Sequence, residues 1–542
     1  MLIDAAMRAV TMAAKIFFNN THKLTLRITM NQRNLNFKRL STVCLVLLLA
    51  TLGLQSCKKN RSDISKALYG ETKNKVFKDL QPDTFAVILK KTLEQKRASL
   101  NNPKLITAFY EQNDFEPVLV LKHLPKEQLK TLADYLSKAN EHGLSPTMFK
   151  ADELTALVGK FYDKKAIKSK EEAYQALADL EIMTANSLIN YSNALQYGVI
   201  SPRKIYARYY TETKRPDSTS MKHVFAVADL KNFLDSIQPK DPQYQALQKA
   251  LLGGVKGAKM TAEETQRVLA VNLERLRWKN KPTEDKYVLV NIADYRLDVM
   301  ENGKSTLNMK VVVGEGRNTD FTNNLVEYDE SLSLKDRPFT RETPQLNSMI
   351  HSVQVNPVWN IPQSIATNEI TKKAAEDPYY LANNNIDVYK DGKKIEDPET
   401  IDWTAGDPGK TYAFKQRPGD DNALGKIKFL FKNASSVYLH DTPAQAGFAK
   451  AERALSHGCV RLEKPLDLAR ALFGEGPKFE LIKKNMASDN PEATDLALPK
   501  KVPVYLTYFT AWADEAGNLQ FRRDVYGLDI VLYTYLQRLS GK

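Results

Sequence analysis

Cys459 stands in the run Ser456-His457-Gly458-Cys459-Val460-Arg461. A thiol attacks a carbonyl carbon as the thiolate, so it needs a base or a positive neighbour. Two histidines are candidates for that base. His457 is two residues before the cysteine, and His440 lies upstream, at the end of the strand-like run Ser436-Val437-Tyr438-Leu439. Gly458 frees the backbone to aim consecutive N–H groups at the oxyanion of a tetrahedral intermediate. The planar guanidinium of Arg461 suits a substrate carboxylate. Singly, each residue has a structural explanation, because cysteines and histidines fill cores and arginines solvate surfaces. Together they describe a nucleophile with its base and its anion-binding groups.

The elements that must position these residues fall into two halves. A chain of 542 residues implies two or three domains, and 43% hydrophobic content is ordinary for globular protein. Helical spacing recurs from about 75 to 260, as in Leu129, Leu132 and Leu136, and in Leu177, Leu180, Met183, Leu188 and Tyr191. Turn signals at Gly143–Pro146, Gly198–Pro202 and Lys240–Pro242 divide it into a bundle. The texture changes near 271–278. Tyr287–Ile292 and Leu307–Val313 read as strands flanking a hairpin turn at Glu301–Lys304, and more strands follow at Ser352–Val355, Ile427–Phe431 and Pro503–Phe509. A polar stretch between Pro362 and Tyr412 reads as an irregular insertion, a lid or binding loop, that Trp403, Tyr412 and Phe414 could line or pack beneath. The fold class is therefore α+β. Expected boundaries are a signal region over 1–56, a tether over 57–75, an all-α domain over 76–270, and a β-rich domain carrying Cys459 over 271–515. The last contains a capping insertion at about 362–412, and a C-terminal tail covers 516–542.

Composition excludes several classes. Only Cys44, Cys57 and Cys459 are present, so neither a disulfide framework nor a cysteine-rich zinc site is expected. The net charge of +14 is spread along the chain without a basic block or a nucleic-acid motif, which fits an exported protein facing an anionic wall or membrane. The uncharged run Leu40–Leu54 follows Lys38-Arg39 and suits a secretory signal better than a full membrane span. Met30 begins a more ordinary signal than Met1 does. The run ends in Leu54-Gln55-Ser56-Cys57, which resembles the lipobox of bacterial lipoproteins. Cys57 would then carry the lipid, and Lys58 after it favours sorting to the outer membrane of a Gram-negative bacterium. The expected location is the periplasm.

SHGCVRL resembles the signature of the L,D-transpeptidase, or YkuD-like, catalytic domain. VNLERLRW, the stretch Asn356–Pro362 and TYFTAWADEAGNLQFRRDVYG are similar to the larger YcbB-type subfamily, and LEIMTANSLINYSNALQYGVISP is similar to its helical scaffold. The resemblance implies that Cys459 attacks the third residue of a peptidoglycan tetrapeptide stem and releases D-Ala. An amine of a second stem then resolves the thioester into a 3→3 cross-link. It implies His440 as the general base, oriented by the Asp441 carbonyl. Gly458 and Cys459 N–H groups would form the oxyanion hole, supported by His457. Arg461, Tyr438, Trp359 and Asn356 would bind substrate. No metal or organic cofactor is implied. The expected partners are donor and acceptor stems and, through the lipid, a membrane, with no nucleic acid and a monomeric state.

Three rivals remain. Papain-like and amidase-type enzymes place cysteine before histidine along the chain, opposite to the order here. An L,D-carboxypeptidase would use water as acceptor, and a wall-binding lipoprotein would need no chemistry.

Overall fold

The computed structural model describes residues 61–278, 280–316 and 341–541. The apolar run Leu40–Leu54, Cys44 and Cys57, the expected site of lipid attachment, lie outside them. The chain is α+β, with a helical half followed by a strand-rich one. The long helix Lys170–Tyr197 is the centre of the first half. Ser169 caps it by accepting the Glu172 N–H at 3.1 Å, and its buried positions lie on nearly every side. It stops at Gly198 (φ 75°), where a Cβ would fall 2.6 Å from Glu274 Oε1. Glycine here permits both the left-handed turn and the close approach of the next half. Leu129, Leu132 and Leu136 are buried as their spacing predicts.

Three boundaries differ from the sequence reading. The tether region contains the helix Asp63–Thr72, which buries Ile64 and Leu68. Only one turn of apolar spacing marks it, too little to stand out from polar sequence. The boundary at 271 falls inside the helix Ala262–Arg277, a seam between the two halves that opens on a Thr261/Glu264 capping box. The C-terminal tail contains the helix Leu528–Leu539, whose Leu528, Val531, Leu532 and Leu536 are buried. One apolar cluster runs from Ile64 to Leu536 and spans both halves.

The strand-rich half is a nine-stranded sheet. Its strands are β1 (Lys286–Asn291), β2 (Arg296–Glu301), β3 (Lys304–Gly314), β4 (Leu346–Val355), β5 (Ile427–Phe431), β6 (Leu439–His440), β7 (Ala454–Ser456), β8 (Val460–Leu462) and β9 (Thr494–Thr507). The spatial order is β7-β3-β8-β6-β5-β4-β9-β1-β2, and β2 pairs with β3 as well, so the sheet closes on itself. The β2–β3 hairpin turns through Asn302 (φ 49°) and Gly303 (φ 79°), as its sequence predicts. Most neighbours are antiparallel, but β6–β8, β1–β9 and β3–β7 are parallel.

The insertion is a folded cap rather than an irregular loop. Trp359–Asn360, Ile386–Lys390, Lys393–Lys394 and Ala413–Gln416 form a separate four-stranded sheet. Ile361, Ile370, Leu381, Val388 and Phe414 form its own core, with Trp403 and Tyr412 packed against it. Trp403 meets Tyr412 edge-to-face at 5.7 Å and Phe414 at a tilt at 5.8 Å, so these aromatics hold the cap together. Short, polar-flanked strands hid this core from periodicity.

Candidate active site

Two short strands bring the chemistry together. β6 and β8 run parallel with Leu439 opposite Val460 and His440 opposite Arg461. Side chains alternate along a strand, so Tyr438 and His440 share a face with Cys459 and Arg461, while Leu439 and Val460 point into the core. The Val460 N–H donates to Tyr438 O at 3.0 Å and locks this register at the cysteine. Parallel pairing is what lets the histidine precede the cysteine in sequence and still lie beside it.

His440 is buried and held by the backbone next to it. Its Nδ1 contacts Asp441 O at 2.5 Å, so Nδ1–H donates and Nε2 carries the lone pair that can take a proton. Asp441 is itself fixed, because its Oδ2 accepts the Lys426 N–H at 2.9 Å and its Oδ1 accepts the Thr442 N–H at 2.7 Å. A Cβ on Gly425 (φ 60°) would lie 2.5 Å from that carboxylate, so glycine is required there. Burial, with Arg461 and Lys428 nearby, lowers the His440 pKa to about 4. Burial raises the Cys459 thiol, opposed by the Tyr438 backbone, Arg461 and Lys428. The resting pair is therefore a neutral thiol and a neutral imidazole.

The loop before Cys459 is tied from several directions. Ser456 Oγ accepts the Gly458 N–H at 3.1 Å and donates to Cys459 O. The Gly458 N–H is thus already satisfied inside the loop, which corrects its expected place in the oxyanion hole. Gly458 serves through its φ of 121° instead, a turn that presents Cys459. The Cys459 N–H has no protein partner among the described residues and stays available to an oxyanion. Thr343 Oγ1 accepts the Gly314 N–H at 2.8 Å and donates to Gly458 O at 2.8 Å. Tyr526 in turn donates to Gly314 O at 2.8 Å and accepts the Thr343 N–H at 3.1 Å. The segment expected to be a tail thereby braces the nucleophile loop.

His457 points away from the thiol. Its Nε2 meets Glu369 Oε1 of the cap at 2.5 Å, and Arg341 bonds the same oxygen at 3.1 Å. Glu369 sits on the π-turn Ala366–Ile370, a kind of irregularity frequent at functional sites. His457 therefore joins the nucleophile loop to the cap.

Of the expected substrate contacts, Tyr438 and Arg461 lie beside the thiol, and two do not. Asn356 is 3% exposed, adopts φ 50°, and donates from its side chain to Asn485 O at 2.8 Å. It is a turn residue with its amide already used. Trp359 belongs to the cap sheet, opposite Gln416, and packs on the cap core. Lys428 escaped sequence reading. On β5 it lies opposite His440, on the face that Ile427, Phe429 and Phe431 leave for the site. The alternation in Ile427-Lys428-Phe429 was the available signal. Among the described residues no group of three or more His, Cys, Asp and Glu side chains could hold a metal ion.

The closed sheet carrying Cys459, His440 and Arg461 lies within residues 285–473, which match the family model of the L,D-transpeptidase catalytic domain. Residues 104–251, in the helical half, match the model of the Scaffold domain. A Haemophilus influenzae protein named "Putative L,D-transpeptidase" is 30% identical over 328 residues, which is 60% of this chain and 61% of the relative. The solved structure of the Ldtfm-avibactam carbamoyl enzyme covers 58% of this chain and 96% of its own at 12% identity and a TM-score of 0.18, a similarity too loose to carry structural weight. The catalytic match ends before β9 (Thr494–Thr507), the strand that joins β4 to β1.

Proposed function

We propose that this protein is a cysteine-dependent L,D-transpeptidase that forms 3→3 cross-links between peptidoglycan stems. The observation that carries the reading is the shared face of Cys459 and His440, with Nδ1 of the histidine committed to Asp441 O. Cys459 attacks the carbonyl of the third stem residue while His440 Nε2 takes the thiol proton. The C–S bond forms, and as the C–N bond to the terminal D-Ala breaks, the imidazolium returns that proton to the leaving amine. The Cys459 N–H faces the developing oxyanion. A side-chain amine of a second stem then attacks the thioester, losing its proton through His440, and the thiol is restored. Because both groups rest neutral, proton transfer accompanies attack rather than preceding it.

The test is incubation of the purified protein with disaccharide-tetrapeptide, followed by mass spectrometry. A 3→3 dimer supports transpeptidation. Tripeptide alone reassigns the protein as an L,D-carboxypeptidase, and intact substrate with unmodified Cys459 leaves a wall-binding protein. The run ending at Cys57 supports a further part of the proposal, a lipid-anchored periplasmic location. Mass spectrometry of the membrane-extracted N-terminus tests it.

A further inference from the structure

Two cations flank His440 without a carboxylate of their own. Lys428 is its register partner on β5 and Arg461 its register partner on β8. Adjacent strands lie about 4.8 Å apart, so the two side chains straddle the imidazole on one face. Both are partly buried, yet among the described residues neither makes an ion pair. The one acid near Lys428 is Asp495, and Asp495 accepts a 3.0 Å hydrogen bond from Gln354. The Lys428 ammonium instead lies over the Tyr438 ring, 5.5 Å from its centroid. Partly buried cations without counter-ions are costly unless an anion arrives.

We propose that Lys428, together with Arg461, receives the C-terminal carboxylate of the acyl donor, so that Lys428 is a specificity residue for peptides that end one residue beyond the scissile bond. This rests on the acyl-transfer reading above. Its geometry follows from the proton path. The leaving amine must come to His440 to collect its proton, and in an α-amino acid the carboxylate is one carbon removed from that amine. With the amine at the imidazole, the carboxylate is within reach of the cations on the two flanking strands. A lengthened or amidated donor would lose that contact.

The test compares alkylation of Cys459 in the full-length protein by iodoacetate, which carries a carboxylate, and by iodoacetamide, which does not. Peptide mass spectrometry reads the Cys459 site. The ratio of the two rates cancels any change in thiolate fraction. In the unaltered protein the ratio should exceed that of the urea-unfolded chain and fall with added salt. Lys428→Met should lower it about tenfold, and Lys428→Arg should retain it. A ratio in the folded protein no higher than in the unfolded chain overturns the proposal, with no variant needed. So does a Lys428→Met ratio equal to that of the unaltered protein. A second arm compares tetrapeptide with its C-terminal amide, and the acid should be preferred by a similar factor that Lys428→Met removes. If neither peptide is turned over while the alkylation ratio behaves as described, the transpeptidase reading fails and the carboxylate site stands.

Discussion

Charge is buried in two places in this molecule, and the two are built differently. On the seam helix Ala262–Arg277, Arg275 meets Asp529 at 2.5 Å and Arg277 meets Glu274 at 2.7 Å. Several surrounding polar groups are used as well, although Arg275 Nε finds no partner among the described residues. Thr510 donates to Asp529 at 2.6 Å, Asn272 to Thr510 at 2.7 Å, and Trp278 to Glu274 at 3.2 Å. On the face of Cys459 and His440, Lys428 and Arg461 are partly buried, and among the described residues no acid is paired to either. Desolvation is offset inside the protein at the seam and left for a ligand to offset at the site. A paired buried charge therefore marks structure, and an unpaired one marks a place where something binds.

That contrast predicts that lesions on the catalytic face stop chemistry and spare the fold, whereas lesions at the seam do the reverse. Cys459→Ala should reduce D-Ala release at least ~10³-fold with little change in melting temperature. Product formation above that level would remove Cys459 as nucleophile. His440→Gln should lower kcat/KM by roughly 10²–10⁴-fold, again with the fold intact by circular dichroism. Arg275→Met leaves Asp529 buried without its cation and should cost about 3–5 kcal/mol of unfolding free energy in urea titration. The double change Arg275→Met with Asp529→Leu should recover part of it. If the single change costs nothing, the seam is not held by its pairing.

Acid separates the two regions further. His440 and His142, which accompanies Arg277 at the seam, are each lowered to about 4 by burial. The unfolded chain binds protons near pH 6.5 and the folded one does not, so stability is complete above that value and falls as pH drops through the interval to about 4. Each group contributes roughly 3 kcal/mol across that interval. His142→Gln should flatten the stability profile while the acid limb of kcat/KM, set by His440 near pH 4, stays in place. A shift of that limb would assign it elsewhere. The smallest expected effect is at Tyr526→Phe, which removes the hydroxyl bonding Gly314 O and Thr343 N. It should cost about 1–3 kcal/mol and slow Cys459 acylation, measured by mass spectrometry, because the nucleophile loop loses its brace.

The chemistry was legible in a few residues. Ser456–Arg461 with His440 picked out the thiol, the imidazole and one cation that the fold brings onto one face, and the turn at Glu301–Lys304 placed the first hairpin. The Asp441 carbonyl, implied only by resemblance, does contact His440 Nδ1. Asn356 and Trp359 show that a motif names residues without saying what their side chains touch. Asn356 spends its amide on Asn485, and Trp359 belongs to the cap. Lys428 was missed because a lysine in a strand reads as a solvent-facing residue until its neighbours are known.

What the sequence determined by itself is what acts over short range: the thiol in its loop, the 3.6 and 2.0 periods that separate helical from strand-rich halves, and the turns between elements. Beyond the i,i+3 pair of Glu274 and Arg277, only the tertiary structure decided which charges are paired. Arg275 and Asp529 are 254 positions apart, Lys428 and Arg461 sit on other strands than the base they flank, and nothing local distinguishes the first two from the second. Their difference is the identity of the strand or helix alongside, and that is fixed by long-range packing. The same holds for Gly458, whose N–H was expected to face substrate and is instead used by Ser456 once the loop closes.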